Sequence, residues 1–419
     1  MYSPNDNIQI ALIGAGGMGQ GDARMATSLP GVKLVAACDC YNGRLQHMSE
    51  TYGRETFTTR DYHEIVARKD IDAVIIGTPD HWHSRISVDC LNAGKHVYCE
   101  KPMVHAIEEG RSIIDAQAKS GTVFQVGSQY RSSLVYQKAR ELFQSKAIGE
   151  LNSVEAWLDR NTAIGAWEYS IPLDASPETC DWLGFQGNAP KRPWDAKRFF
   201  RWRNYRDYGT GVAGDLFVHL LTGLHTVTSS AGPTRVYATG GIRFWKDREV
   251  PDVMLATLDY PATDAHPAFN VLLHVNFKSS LSEESFGVKF TGSDGVMTAN
   301  SFTKLTLERT PRVDEFDWAI KSLPDQMQKE LTSEWKASHP EPTTQTVKPG
   351  STEVFDMSGS DAHLDHHRNF YNSIRENKPS IEDATFGLRA AGPALLTNDS
   401  YFNNRIVEWD PETMTQTRS

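Results

Sequence analysis

Residues 8–19 read Ile8-Gln9-Ile10-Ala11-Leu12-Ile13-Gly14-Ala15-Gly16-Gly17-Met18-Gly19. A short apolar run that ends on glycines and opens into a helical pattern predicts a buried strand, a tight turn and a helix. The glycines are spaced G-x-G-x-x-G, a weak signal alone that gains weight from standing between a strand and a helix. Gly14 allows the turn off the strand, Gly16 lets the backbone approach a pyrophosphate, and Gly19 lets the helix pack close to the sheet. Gly17 and Met18 open the helix, whose free N–H groups and positive dipole end favour phosphate. Asp39 stands twenty residues beyond Gly19, at the predicted end of the second strand, where a carboxylate accepts from an adenosine ribose hydroxyl. An acid there repels a 2′-phosphate, so NAD is expected over NADP. Arg44, five residues on, keeps NADP open, because a guanidinium can bind a phosphate as well as stack on adenine.

Outward from that turn, short apolar runs alternate with helical stretches. Strands are expected at 8–13, 32–38, 73–76, 96–99 and 123–126, with helices at 18–28, 44–52, 62–67, 84–93 and 107–120. Five strands with crossover helices approach a complete dinucleotide domain, with a sixth strand not visible in the pattern. Residues 1–130 are read as that NAD(P)-binding domain and 131–419 as a second, substrate-binding and oligomerisation domain. Past Gly127 the period changes to alternation at 152–158, 234–242, 253–260, 269–277 and 287–290, which predicts a mostly antiparallel sheet. Residues 157–208 are rich in aromatics and arginine and hold five of the ten tryptophans. A polar helix is expected over 314–338, an exposed connection over 340–350, helices over 361–376 and 383–402, and a strand over 405–409.

The chain has 419 residues, enough for two domains, and its 39% hydrophobic and 23% charged content is that of a globular protein. A net charge of −10 offers no global positive field to a phosphate backbone, so no nucleic-acid partner is expected. Five cysteines, four of them in the first hundred residues, suit neither a disulfide framework nor a four-ligand zinc site. No apolar run approaches the roughly 18 residues that span a bilayer, so no membrane association is expected. Residues 1–7 lack a basic and apolar leader pattern. A cytoplasmic location is expected, or a periplasmic one if an export leader was removed.

Glu100-Lys101-Pro102 follows the strand expected at 96–99, at the carboxyl edge where a doubly wound sheet places its ligands. Proline disfavours helix at Lys101 and restricts the orientation of that side chain. With the glycine turn, Gly77-Thr78-Pro79-Asp80-His81-Trp82-His83 and Gly214-Asp215-Leu216-Phe217-Val218-His219, this tripeptide resembles the Gfo/Idh/MocA family of glucose-fructose oxidoreductase and inositol dehydrogenase type enzymes. His366-His367-Arg368-Asn369-Phe370 matches the family's C-terminal helix, so the resemblance covers most of the chain. It implies an α/β protein with an N-terminal Rossmann doubly wound parallel sheet plus a C-terminal α+β domain with a large, mostly antiparallel open sheet. It further implies NAD(P)-dependent chemistry on a small carbohydrate or cyclitol, a homo-oligomer (dimer or tetramer), and Lys101, Asp215 and His219 as the catalytic group.

The residue types fit that assignment. Asp215 and His219, four apart, share one face of a helix, and imidazole titrates near working pH. His219 is expected to remove a hydroxyl proton, Lys101 to stabilise the oxygen's developing charge, and Asp215 to orient the hydroxyl or the imidazole. Thr78, Pro79 and Glu100 are counted with the cofactor-binding residues. His81 and His83 either line the nicotinamide pocket or pack the start of a helix. Tyr130, Arg131, Trp202 and Tyr205 are counted with the substrate-binding residues, since aromatic faces suit pyranose C–H faces and arginine suits hydroxyls or an acidic substituent. His363, His366 and His367 with Asp361 and Asp365 lack the H-E-x-x-H glutamate, and no metal is expected.

The reading is hydride transfer at a secondary hydroxyl. An NAD-dependent glycosidase using transient oxidation, elimination, hydration and re-reduction is the alternative, and a non-catalytic dinucleotide sensor is the third class. NADH formation and aglycone release, followed separately, divide the three.

Overall fold

The computed structural model of the chain describes residues 7–280, 284–309, 316–338 and 350–417. β1 (Ile8–Ile13) runs through the glycine turn into α1 (Gly17–Thr27), and β2 (Val32–Cys38), α2 (Asn42–Tyr52), β3 (Phe57–Thr59) and α3 (Tyr62–Ala67) follow. β4 (Ala73–Ile76), α4 (Asp80–Asn92), β5 (His96–Glu100), α5 (Gly110–Ser120) and β6 (Phe124–Gly127) complete a parallel sheet of order β3-β2-β1-β4-β5-β6. Strand order reverses at β1, so the crevice beyond the carboxyl ends of β1 and β4 is the switch point of this sheet. The strand that escapes the hydrophobic pattern is β3, three partly exposed residues at the sheet edge, too few to show a period.

The turn between β1 and α1 is closed by contact with its neighbours. Gly14 has φ +93°, and a Cβ there would lie 2.4 Å from the Thr78 nitrogen. A Cβ on Gly19 would lie 2.1 Å from the Gly14 carbonyl oxygen. The two glycines therefore bring the helix onto the strand and the β4 turn onto both.

The second half opens with α6 (Leu134–Gln144) and β7 (Leu151–Arg160). A long excursion carries α7 (Trp182–Gln186) and α8 (Ala196–Phe200), and a π-helical turn, Ala213–Phe217, leads into α9 (Val218–Thr228). β8 (Arg235–Gly241), β9 (Val253–Tyr260), β10 (Phe269–Asn276), β11 (Glu284–Gly292), β12 (Gly295–Asn300) and β13 (Lys304–Arg309) follow. α10 (Asp325–Ser338), β14 (Ser351–Asp356), α11 (Ala362–Glu376), α12 (Ala384–Asn403), β15 (Val407–Asp410) and β16 (Thr415–Gln416) finish the chain. Among the described residues the sheet order is β14-β13-β12-β11-β7-β10-β9-β8-β15-β16, antiparallel except for the β7–β10 pair. Alternate residues of β9 and β10, such as Met254, Ala256, Val271 and Leu273, are buried, so one face carries the core.

Within the expected helix over 314–338 the chain forms a 3₁₀ turn, Trp318–Ser322, and then α10. Pro324 separates them, because its ring excludes a continuous hydrogen-bonded helix. Residues 314–315 and 340–349 lie outside the described residues. The last helices turn back onto the first sheet. Gln125 Nε2 donates to the His366 carbonyl at 2.9 Å, Val126 N–H donates to the Glu382 carbonyl at 3.0 Å, and a Cβ on Gly387 would lie 2.4 Å from Val126 Cγ2. One contiguous core runs from Ile13 and Cys99 through Tyr136 and Leu220 to Leu396, so the two halves do not pack independently.

That core encloses imidazoles. Burial pushes His225, His366 and His367 down to about 3. His225 accepts protons below about pH 6.5 when unfolded and only near 3 when folded, so its contribution to stability is complete above 6.5 and is lost as pH falls. The stability difference between the wild type and His225→Phe is expected to move in the variant's favour by up to about 1.4 kcal/mol per pH unit below that point. Denaturant titrations of both proteins at about pH 7 and about pH 5 measure it, and a pH-independent difference contradicts the burial argument.

Candidate active site

A cavity of about 950 Å³ follows the switch point from the glycine turn to the start of α9. Gly14, Gly16, Gly17 and Met18 line one end. Gly16 precedes α1 as its cap and has no side chain to bond the first N–H groups, and a Cβ on Gly17 would meet nothing within 4 Å, so the helix N-terminus opens onto free space. That opening fits a pyrophosphate by charge and by room.

Asp39 and Arg44 line the cavity beside it. The Asp39 carboxylate accepts from Ala15 N–H at 2.8 Å and Tyr41 N–H at 2.9 Å, and Arg44 Nη1 lies 3.4 Å from it. The glycine turn and Asp39 are thereby one hydrogen-bonded unit. Thr78, Pro79 and Glu100 also line the cavity. Burial, reinforced by Asp22, pushes the Glu100 carboxyl well above the ordinary range.

At the other end Lys101 meets Asp215 and His219. The Lys101–Pro102 peptide is cis. Lys101 Nζ donates to Asp215 Oδ1 and to the Asp215 carbonyl, both at 2.9 Å, and Arg203 Nε donates to the same Oδ1 at 3.1 Å. Asp215 occupies the π-helical turn, a local widening often found at functional sites. Gly214 fits there because a Cβ would lie 2.1 Å from Thr210 Oγ1 and 3.1 Å from the Pro102 ring. Burial would raise the Asp215 carboxyl, but Lys101 and Arg203 hold it far below the usual carboxylate range. His219, in the first turn of α9, goes the other way: burial, then the Lys101 charge, hold it well below the ordinary imidazole range, so it is neutral at working pH.

The imidazole takes its hydrogen bond from neither catalytic candidate. His219 Nδ1 lies 3.3 Å from Ser128 Oγ, and the Tyr130 ring stacks on it with centroids 5.0 Å apart. With Nδ1–H donating to Ser128, Nε2 keeps the lone pair. Ser128, fully buried just past β6, is not among the sequence candidates. The one signal for it is its place at the carboxyl edge of the last parallel strand.

Of the other candidates, His81, His83, Tyr130, Arg131 and Tyr205 lie apart from the cavity. His81 Nε2 lies 2.9 Å from the Phe185 carbonyl oxygen, and the His83 ring nitrogens lie 2.7 Å from that of Pro102 and 2.9 Å from that of Thr78. Both rings tie loops together, while Trp82 between them lines the cavity. Tyr130 is buried behind His219. Arg131 Nε donates to the Ile381 carbonyl at 3.0 Å with its guanidinium over Phe386. Trp202 lines the cavity, whereas Tyr205 sits in an aromatic cluster under the Arg198 guanidinium. Trp167, Tyr169, Arg160 and His363 line the end near Lys101. His366 and His367 are engaged in the core, His366 with Ser132 and the Val126 carbonyl and His367 with Asp22. Among the described residues no group of three or more His, Cys, Asp or Glu is arranged to hold a metal, and no helix is long and apolar enough to cross a membrane.

A six-stranded parallel sheet with a glycine turn, an acid just past its second strand and a buried Lys–Asp–His group defines a Rossmann oxidoreductase. Comparison with known families makes this specific. Residues 8–128 match the "Oxidoreductase family, NAD-binding Rossmann fold" and residues 185–407 match the "Oxidoreductase family, C-terminal alpha/beta domain". The chain belongs to the Gfo/Idh/MocA oxidoreductase family. It is 32% identical over 145 residues to inositol 2-dehydrogenase of Salmonella typhimurium, 34% of this chain and 43% of that protein. It is 27% identical over 257 residues to levoglucosan dehydrogenase of Pseudarthrobacter phenanthrenivorans, 56% of this chain and 57% of that protein. The aligned part thus spans about half the length of these curated relatives, 43% of one and 57% of the other. In fold, the chain resembles levoglucosan dehydrogenase in complex with NADH and levoglucosan (TM-score 0.69, 15% identity, 96% of this chain and 99% of that one). It also resembles an oxidoreductase domain protein from Kribbella flavida (TM-score 0.71, 17% identity, 96% and 99%).

Ser128→Ala is expected to lower kcat/KM about tenfold, the size of one lost net hydrogen bond, and to leave dinucleotide affinity unchanged, with Ser128→Thr restoring turnover. Steady-state kinetics beside a fluorescence titration with NADH measure both. Unchanged kcat/KM in the alanine variant removes Ser128 as the positioning residue of His219.

Proposed function

We propose that this protein is an NAD-dependent dehydrogenase that interconverts a secondary hydroxyl of a small carbohydrate or cyclitol and the corresponding ketone. The observation that carries the reading is the Lys101 ammonium fixed on Asp215 Oδ1 and the Asp215 carbonyl, with the buried His219 imidazole lining the same end of the dinucleotide cavity. NAD, when bound, supplies the acceptor for the hydride. The glycine turn and the α1 N-terminus hold its pyrophosphate, and Asp39 accepts from the adenosine ribose. Asp39 disfavours a 2′-phosphate, and Arg44 is turned toward that acid, which supports NAD over NADP.

His219 Nε2 takes the proton of the reacting hydroxyl while Nδ1–H stays on Ser128. Lys101 donates to the same oxygen and stabilises its negative charge in a site largely closed to water, where such a donor is most effective. Asp215 acts through Lys101, fixing its ammonium by two hydrogen bonds. Trp202 and Tyr169 line the cavity with aromatic faces that suit the C–H surface of a sugar ring. The names of the relatives support the substrate class: inositol 2-dehydrogenase and levoglucosan dehydrogenase. Those names are dehydrogenase names, and nothing in the cavity singles out the glycosidase reading.

The outer face of the large sheet exposes Tyr237, Leu255 and Leu272, which supports a homo-oligomer closed through that face. Light scattering is expected to give at least twice the chain mass, and a monomer at working concentration contradicts it.

Incubated with NAD and a panel of cyclitols, anhydrosugars and aryl glycosides, the protein is expected to form NADH without releasing aglycone. His219→Ala is expected to lower kcat by about 10²- to 10⁴-fold, the usual contribution of a general base, with NADH affinity within about threefold of wild type. Near-normal turnover in that variant would overturn the mechanism, and aglycone release without net NADH would replace it with the glycosidase.

A further inference from the structure

The excursion between β7 and the π-helical turn crosses the first domain before it returns to the Lys101 end of the cavity. On the outward leg Asp181 N–H donates to the Cys40 carbonyl at 2.7 Å, and the Tyr41 hydroxyl donates to Asp174 Oδ1 at 2.6 Å. Trp82 Nε1 donates to the Phe185 carbonyl at 2.9 Å, so the segment is tied to both banks of the crevice. Residues 192–203 of the return leg carry four arginines, and three of them hold the leg together. Arg192 and Arg198 both pair with Asp207, and Arg198 pairs also with Glu249. Arg201 Nε donates to the Tyr169 carbonyl at 2.7 Å, and its Nη1 pairs with Glu168.

Arg203 is held differently. Of the four it is the one that lines the cavity. Its Nε donates to Asp215 Oδ1 at 3.1 Å, and its guanidinium lies 4.2 Å from the centre of the Trp202 ring, so the plane of the group is fixed from its base and from one face. Among the described residues no hydrogen bond engages its two Nη groups, and the nearby Asp80 accepts instead from the Thr210 N–H and hydroxyl at 2.9 and 2.6 Å. A guanidinium fixed in this way presents an unengaged fork to the cavity. Lys101 donates to the same Asp215 oxygen, so the fork and the ammonium lie within the width of one sugar ring. Arg160 and His363 line the same end. A pair of hydroxyls gives hydrogens as well as taking them, and a guanidinium has no lone pair to accept one. A carboxylate only accepts, matches the planar fork and brings the opposite charge.

We propose that Arg203 recognises a carboxylate on the substrate, and that the preferred substrate is therefore a sugar acid, a carbohydrate or cyclitol with a carboxylate on the ring that carries the reacting hydroxyl. The proposal rests on the dehydrogenase reading above and specifies its substrate. The carboxylate is unchanged by the reaction: hydride leaves the carbinol carbon for NAD and the hydroxyl proton goes to His219, while Arg203 takes neither. Its role is recognition, so neutral sugars and cyclitols still react, at lower kcat/KM.

The test gives the full chain saturating NAD and matched substrates, glucuronate with glucose, galacturonate with galactose and quinate with myo-inositol, and follows NADH. The wild type is expected to favour the acid of at least one pair by about 10- to 100-fold in kcat/KM, the range of a hydrogen-bonded contact between charged groups, and to do so through KM rather than kcat. Arg203→Gln is expected to bring that ratio close to one, and Arg203→Lys, which keeps the charge without the fork, to keep part of it. The ratio is read because Arg203 also bonds Asp215, and a merely structural role lowers both members of a pair alike. Near-UV circular dichroism checks the folding of both variants. Preference for the neutral members, or an acid preference that Arg203→Gln leaves unchanged, overturns the proposal and leaves the dehydrogenase reading standing. If no pair yields NADH, the acids are titrated into the NADH complex and its fluorescence is followed. Binding of an acid that Arg203→Gln abolishes then supports the carboxylate site and overturns the dehydrogenase reading, and absence of binding overturns both.

Discussion

The Asp215 carboxylate is where the two halves of the molecule meet electrostatically. Lys101 reaches it from the end of β5 in the first sheet, and Arg203 reaches it from the excursion of the second. Burying three charges is tolerable only because each has a partner, and removing one partner leaves the others unpaired in a medium that solvates them poorly. The cluster therefore constrains three things at once: the approach of the domains, the position of the Lys101 ammonium, and the protonation of His219. Burial first, and then the positive charge of Lys101, disfavour a second positive charge on the His219 imidazole.

The rest of the fold serves that constraint. The π-helical turn presents both the carboxylate and the carbonyl of Asp215 to one ammonium, and Gly214 allows the Pro102 ring to come close enough for the contact. Helices α11 and α12 return to cover the first sheet and carry the shared core beneath the cavity. The excursion after β7 then roofs the crevice from above. A cavity made this way is closed by both domains, so its water content and dielectric are set by their packing rather than by one loop.

Much of the first domain is legible in the order of residues. Strand, glycine spacing and Asp39 stand within some thirty positions, and their roles follow from local sterics and from the dipole of a single helix. Lys101, Asp215 and His219 are found through motifs that match a known family, and the structure brings all three to one end of the cavity. β3 is not legible, because three residues at an edge carry no period. Ser128 is not legible either, since one serine after one strand resembles any other. Tyr130 and Arg131 stand in a promising place in the chain and still turn away from the cavity, Tyr130 behind the imidazole and Arg131 against Phe386.

By itself the sequence determined the alternation of strand and helix, the glycine turn and the change of period after Gly127, because each depends on neighbours a few positions away. Only the tertiary structure decided which side chain lies at hydrogen-bond distance from His219, that Asp215 pairs with Lys101 and Arg203, that His81 and His83 bind loops together, and that residues 171–186 cross over the other domain. Those outcomes depend on pairs separated by tens to hundreds of positions. A hydrogen bond such as that from Tyr41 to Asp174 has no trace in either local pattern, since its energy exists only once the cores of both halves have brought the two groups together.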